Sequence, residues 1–146
     1  MQKSRAPAAV VVAAQLRHQT ACGFAVAFAP DKARVGHMRR ITTAHLRLWK
    51  ISGPPADNIV HAVSELVTNA IQHGHGNIRL KVTHTAGEVR VEVTDGNPAS
   101  AELTVADDED VSGRGLFLVA FLARDWGVSD GGRTTWCVFR ATAEMA

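Results

Sequence analysis

Tyrosine is absent from the 146 residues, and phenylalanine and tryptophan together bring the aromatics to only 5%. The core therefore has to rest on aliphatic side chains, which a chain of this length can bury in quantity without covalent staples. Cysteine is scarce as well: Cys22 and Cys137 lie far apart in apolar, strand-like runs. That spacing excludes a disulfide framework or a cysteine-rich zinc site and leaves reduced, buried thiols. No apolar run is long enough to span a bilayer. The nearest approach, Ala6 to Ala14 behind Lys3 and Arg5, contains Pro7 and soon meets Gln15, Arg17 and His18. It reads as part of a flexible leader over residues 1–21 rather than as a signal peptide, and the predicted location is cytoplasmic, with no membrane partner. A dominant charge is also missing. Lys and Arg number 16 against 14 Asp and Glu, a net +2, which gives no argument for direct nucleic-acid binding.

What is present is a run of clearly punctuated elements. Residues 22–29 read as a strand closed by Pro30 and Asp31. From about Lys32 to Lys50 the period is helical, with Val35, Met38, Ile41, Leu48 and Trp49 on one arc and Arg39, Arg40, Arg47 and Lys50 on another. Ser52-Gly53-Pro54-Pro55 breaks the chain. A second helix is predicted from about Ala56 to His73, with Asp57 as its cap and Ile59, Val63, Leu66, Val67 and Ala70 on its buried face. Residues 78–83 and 89–93 alternate strictly around Ala86-Gly87, which predicts a hairpin with one wet face. Residues 96–113 are turn-rich and acidic, and a short apolar helix follows over 114–124. A second hairpin turns at Asp130-Gly131-Gly132. Strands arriving as hairpins argue for a mostly antiparallel sheet with helices on one face, a two-layer α+β sandwich forming one domain over residues 22–142, with 143–146 as a tail.

Three segments carry candidate chemistry. In Ser64-Glu65-Leu66-Val67-Thr68-Asn69-Ala70, the spacing of four sets Glu65 and Asn69 one turn apart on one helix face. A carboxylate beside a neutral amide suits a magnesium ion or a water without overneutralising phosphates. Residues 55–73 contain no Lys or Arg, unusual for a helix face that is merely solvated. Val93-Thr94-Asp95-Gly96 ends an alternating strand with a carboxylate that can accept a hydrogen bond from an exocyclic amine, beside a glycine that admits a planar base. Taken alone, Asp-Gly followed by Asn-Pro would be read as a plain turn. Ser112-Gly113-Arg114-Gly115-Leu116 opens a helix with exposed amides, the composition of an anion site, though not of a Walker A loop. The acidic run Asp107 to Asp110 reads as a solvated loop, His73 and His75 lack a third ligand for zinc, and His45 falls on an apolar arc as a packing residue.

Together, and in this order, the three segments resemble the GHKL superfamily of gyrases, histidine kinases and MutL-type ATPases. The likeness is strongest to the short anti-sigma-factor serine/threonine kinases. Ser64 to Ala70 with His73-Gly74 is similar to that family's N box, Val93 to Gly96 to its first glycine box, and Gly113 to Leu116 to its second. Gly132-Arg133-Thr134-Thr135-Trp136 is similar to its late strand. The resemblance implies a Bergerat-type fold binding ATP or ADP with magnesium. It implies Glu65 as general base, Asn69 as magnesium ligand, and Asp95 with Gly96 and Thr134 at the adenine. Gly113, Arg114, Gly115 and Leu116 would then lie at the phosphates, with residues 97–112 as a lid. The first box departs from Asp-x-Gly-x-Gly, since glycine directly follows Asp95 and Pro98 closes the turn. The partners implied are a sigma factor and an anti-sigma-factor antagonist, with room for a homodimer. The alternative is a nucleotide-binding interaction module without kinase activity.

Overall fold

The computed structural model describes residues 12–17, 21–96 and 118–142. In chain order these fold as β1 (Val12–Arg17), β2 (Ala21–Phe28), α1 (Ala33–Leu48), α2 (Gly53–His73), β3 (Ile78–Thr85) and β4 (Glu88–Thr94). A helical turn over 118–122 follows, then β5 (Asp125–Ser129) and β6 (Thr134–Arg140). The strands form one six-stranded sheet in the order β1-β2-β3-β4-β6-β5, every pair antiparallel.

The sheet is two-faced for the reason its sequence gives. Along β3 and β4, Ile78, Leu80, Val82, Val89, Val91 and Val93 are all buried, while the intervening Arg79, Lys81, Arg90 and Glu92 take the opposite face. Ala86 and Gly87 turn the hairpin with φ of 49° and 80°, as the twist of the flanking strands demands. On the helix-free face Arg90 pairs with Glu92 at 2.5 Å and sits 4.4 Å from the ring centre of Trp136. On the buried face α2 lays down Ile59, Ala62, Val63, Leu66, Val67 and Ala70, and α1 packs beside it through Met38, Thr42 and Leu46. This is the α+β sandwich expected from the hairpins.

Three local expectations shift. Residues 12–17, placed in a flexible leader, form the edge strand β1, paired with β2 from Val12↔Ala27 to Arg17↔Cys22. Leu48 is 68% exposed, and Leu46 takes the buried position. At 100° per residue Met38, Thr42 and Leu46 fall in line, and Leu48 lands across the helix. The helix α2 begins at Gly53 with Ser52 as its N-cap and prolines in its first turn, where a missing N–H has no helical partner to lose. Ser-Gly-Pro-Pro thus opens the helix instead of preceding it.

The end of the sheet where β2 begins and β3 finishes is closed by rings. His45 of α1 stacks on Phe24 at 4.3 Å, and Trp49 lies 5.7 Å from His45 and 5.6 Å from His84. His45 is therefore a packing residue, as its arc predicted, with Nδ1 also at 3.0 Å from the Ile41 carbonyl. Both cysteines are free; burial pushes the Cys137 thiol up to about 12.

Candidate functional site

The opposite end, where β2 and β4 finish and β3 and β6 begin, is built from close backbone approaches. The helix α2 stops at Gly74, whose N–H donates to the Ala70 carbonyl at 2.8 Å. A Cβ at this position would lie 2.5 Å from that oxygen and 2.7 Å from the Asp95 carboxylate. Its φ of −87° suits any residue, so glycine is needed here for space: Asp95 occupies the volume a side chain would fill. One residue on, Gly96 N–H donates to the His75 carbonyl at 2.7 Å, and a Cβ on Gly96 would sit 2.7 Å from the same oxygen. Asp95 N–H donates to the Arg133 carbonyl at 3.0 Å. Three segments remote in sequence, 74–75, 95–96 and 133, are thereby pinned around one half-buried carboxylate.

Glu65 and Asn69 stand back along α2, half-buried at the edge of its apolar stripe. At about 1.5 Å per residue, Asn69 is about 7.5 Å and Glu65 about 13.5 Å from Gly74 along the helix axis. In axial order the helix thus carries Glu65, then Asn69, then the Gly74 end against which Asp95 packs. Glu65 also borders a groove of about 660 Å³ between α1 and α2, whose lining includes Arg39, Thr43 and Arg47 on one side and Asp57 and His61 on the other.

Thr134 is placed differently from Asp95. Register pairs it with Thr94, and the two hydroxyl oxygens lie 2.8 Å apart on the face of the sheet away from the helices. Thr134 Oγ1 also donates to Asp130 Oδ2 at 2.7 Å. The residue sharing a face with buried Val93 is its partner Thr135. Strand parity held the signal: Cys137 and Phe139 are apolar and core-facing, so Thr135 has to point the same way. Gly113, Arg114, Gly115 and Leu116, the stretch 97–112 and the acidic run at 107–110 lie outside the described residues. Among the described residues, no helix is long and apolar enough to cross a membrane.

An antiparallel sheet with helices on one face, whose central helix ends on a glycine against a strand-end Asp-Gly, defines an α+β sandwich of ATP-binding type. The chain belongs to the family described as histidine kinase-like ATPase domain, whose profile matches residues 28–139. No match is found among curated proteins. The matched span runs from the end of β2 through β6, so α2, the Asp95 turn and the late strand all fall within it. Membership carries ATP binding as the general function.

Proposed function

We propose that this protein is an ATP-dependent regulatory switch, an anti-sigma factor that transfers phosphate from ATP to a serine or threonine of an antagonist protein. The observation that carries this reading is the Asp95–Gly74 approach at the C-terminal end of the helix that bears Asn69 and Glu65. Gly74 and Gly96 let the Asp95 turn pack against the end of α2, which fixes where the carboxylate is held. The Asp95 carboxylate is an acceptor for the adenine amine, and the same helix carries Asn69 and Glu65 further back. Thr135, by its face, replaces Thr134 as the hydroxyl beside the base.

The residues fit ATP and magnesium. Asn69 would hold the metal, and Gly113, Arg114, Gly115 and Leu116 would lie at the phosphates, as the resemblance implies. Bound ATP supplies the phosphoryl group to be transferred. The chain's own work is to orient the acceptor hydroxyl and to take its proton on Glu65. The absence of Lys and Arg from residues 55–73 leaves that carboxylate without a neutralising neighbour on its own helix.

Titration calorimetry should show micromolar-range binding of magnesium ATP and far weaker binding of magnesium GTP, whose carbonyl cannot donate to Asp95. Equal affinity for the two would reject the adenine assignment. Radiolabelled ATP offered with antagonist proteins encoded nearby should label a serine or threonine on one of them. Nucleotide binding without labelling by the true partner would leave an interaction module in place of the kinase.

A further inference from the structure

The two walls of the α1–α2 groove carry opposite charge. Its α1 wall presents Arg39 and Arg47, both exposed, and α1 contains no acidic residue from Ala33 to Leu48. Its α2 wall presents Asp57 and Glu65. None of these four side chains pairs with another described residue, although all four line one groove. His61, also in the lining, has an Nε2 shielded from solvent with no hydrogen-bond partner among the described residues. Because α2 begins at Gly53 in the groove lining, the positive end of its helix dipole adds to the two arginines. Charges that face one another across a space without meeting describe a slot for something inserted between them.

We infer that this groove docks an extended acidic segment of a partner protein and delivers the segment's serine or threonine hydroxyl to Glu65. The inference rests on the proposed role of Glu65 and adds how the acceptor is recognised. The geometry sets the length. Gly53 and Glu65 are twelve residues apart, about 18 Å along the helix, which an extended chain covers in about five or six residues. Arg39 and Arg47 are eight residues apart, about 12 Å, matching side chains about four residues apart on such a segment. The partner would therefore carry carboxylates on the α1 side at that spacing, with its hydroxyl at the Glu65 end. A small anion would satisfy one arginine and leave the other empty.

The test uses the full chain without nucleotide and two fluorescein-labelled seven-residue peptides. Each has one serine, and the flanking positions are glutamate in one and lysine in the other. Fluorescence anisotropy should show the glutamate peptide bound about tenfold more tightly than the lysine peptide. Arg39→Ala and Arg47→Ala should each weaken it by about two- to fivefold, the range of exposed ion pairs. Added salt should weaken it further. Arg47→Glu should shift preference toward the lysine peptide, a gain that misfolding cannot mimic. Equal binding of the two peptides, no binding of either at millimolar concentration, or full binding by the circular-dichroism-normal double alanine variant overturns the inference. Tighter, salt-sensitive capture of a labelled single-stranded oligonucleotide also overturns it and reassigns the groove to nucleic acid. Because no nucleotide is present, the outcome is separable from the ATP reading. Failure here beside normal ATP binding removes only the docking site, while peptide binding without ATP binding keeps the docking groove and removes the kinase together with delivery of the hydroxyl to Glu65.

Discussion

The two ends of the same sheet are finished in opposite ways. At one, Phe24, His45, Trp49 and His84 pack ring against ring and close the sandwich. At the other, Gly74 and Gly96 let backbone and the Asp95 carboxylate approach to distances a Cβ would forbid. Packing of rings finishes the first end, and close backbone approaches finish the second. A polar side chain means different things at the two ends: His45 is held by packing, whereas Asp95 is held by the positions of three backbone segments.

Substitutions should break this contrast in a graded way. Glu65→Gln keeps size and hydrogen bonding but cannot accept a proton at neutral pH. Phosphoryl transfer should fall by about 10²–10⁴-fold with nucleotide affinity nearly unchanged, as single-turnover assays and calorimetry would show. A variant matching the native rate would move the base elsewhere. At the closed end, Trp49→Ala should cost about 3–5 kcal/mol of stability in urea unfolding while the folded fraction binds nucleotide normally. If affinity falls in parallel, the two ends are not independent.

Asp95→Ala should do the reverse. Loss of a hydrogen bond to a charged group removes about 1.5–3 kcal/mol, about ten- to hundredfold in affinity, with the far-ultraviolet spectrum unchanged. An unfolded variant would make Asp95 a structural turn residue. The neighbouring threonines sharpen the point. Thr135→Val should weaken ATP binding by about 0.5–1.5 kcal/mol, whereas Thr134→Val should lower stability instead, since Asp130 and Thr94 lose a partner. Equal effects of the two on affinity would reject the face assignment.

The smallest effect concerns pH. His84 titrates below its ordinary value of 6.5 because burial disfavours the cation, outweighing a backbone hydrogen bond at Ala141. The unfolded chain therefore takes up this proton first as pH falls. The stability His84 contributes is complete above 6.5 and declines between 6.5 and the lowered folded-state value. Thermal unfolding of His84→Gln should show a flatter pH dependence than the native chain between about pH 7.5 and about pH 5.5. An unchanged slope would assign the effect to other groups.

Much of this was legible in the residues. Strict alternation in β3 and β4 specifies both register and face, and the α2 stripe specifies its buried side. What sequence reasoning missed was set by long-range pairing. Val12–Arg17 is short, with one β-branched residue and two alanines, so its local signal for a strand is weak. Its structure comes from the ladder with β2. Thr134 and Thr135 are neighbours of one residue type; the parity of Cys137 and Phe139 separates them, and the register against β4 places Thr135 beside Val93. Gly74 directly follows the predicted helix end at His73; that it also makes space for Asp95 is a tertiary fact.

The pairing of β4 with β6 has a kinetic side. The hairpins β3–β4 and β5–β6 close over short turns, but the Thr94–Thr134 contact between them spans 40 residues. Each doubling of a loop adds about 0.6 kcal/mol to its closure, so this join should form after the hairpins themselves. Asp95 N–H to the Arg133 carbonyl lies on that seam. The Asp95 end of the sheet is thus assembled only after both hairpins have formed, so partly folded chains can hold the hairpins without the Asp95–Arg133 contact. Mutational φ-values should accordingly be near zero at Val91 and Cys137, which face each other across the join.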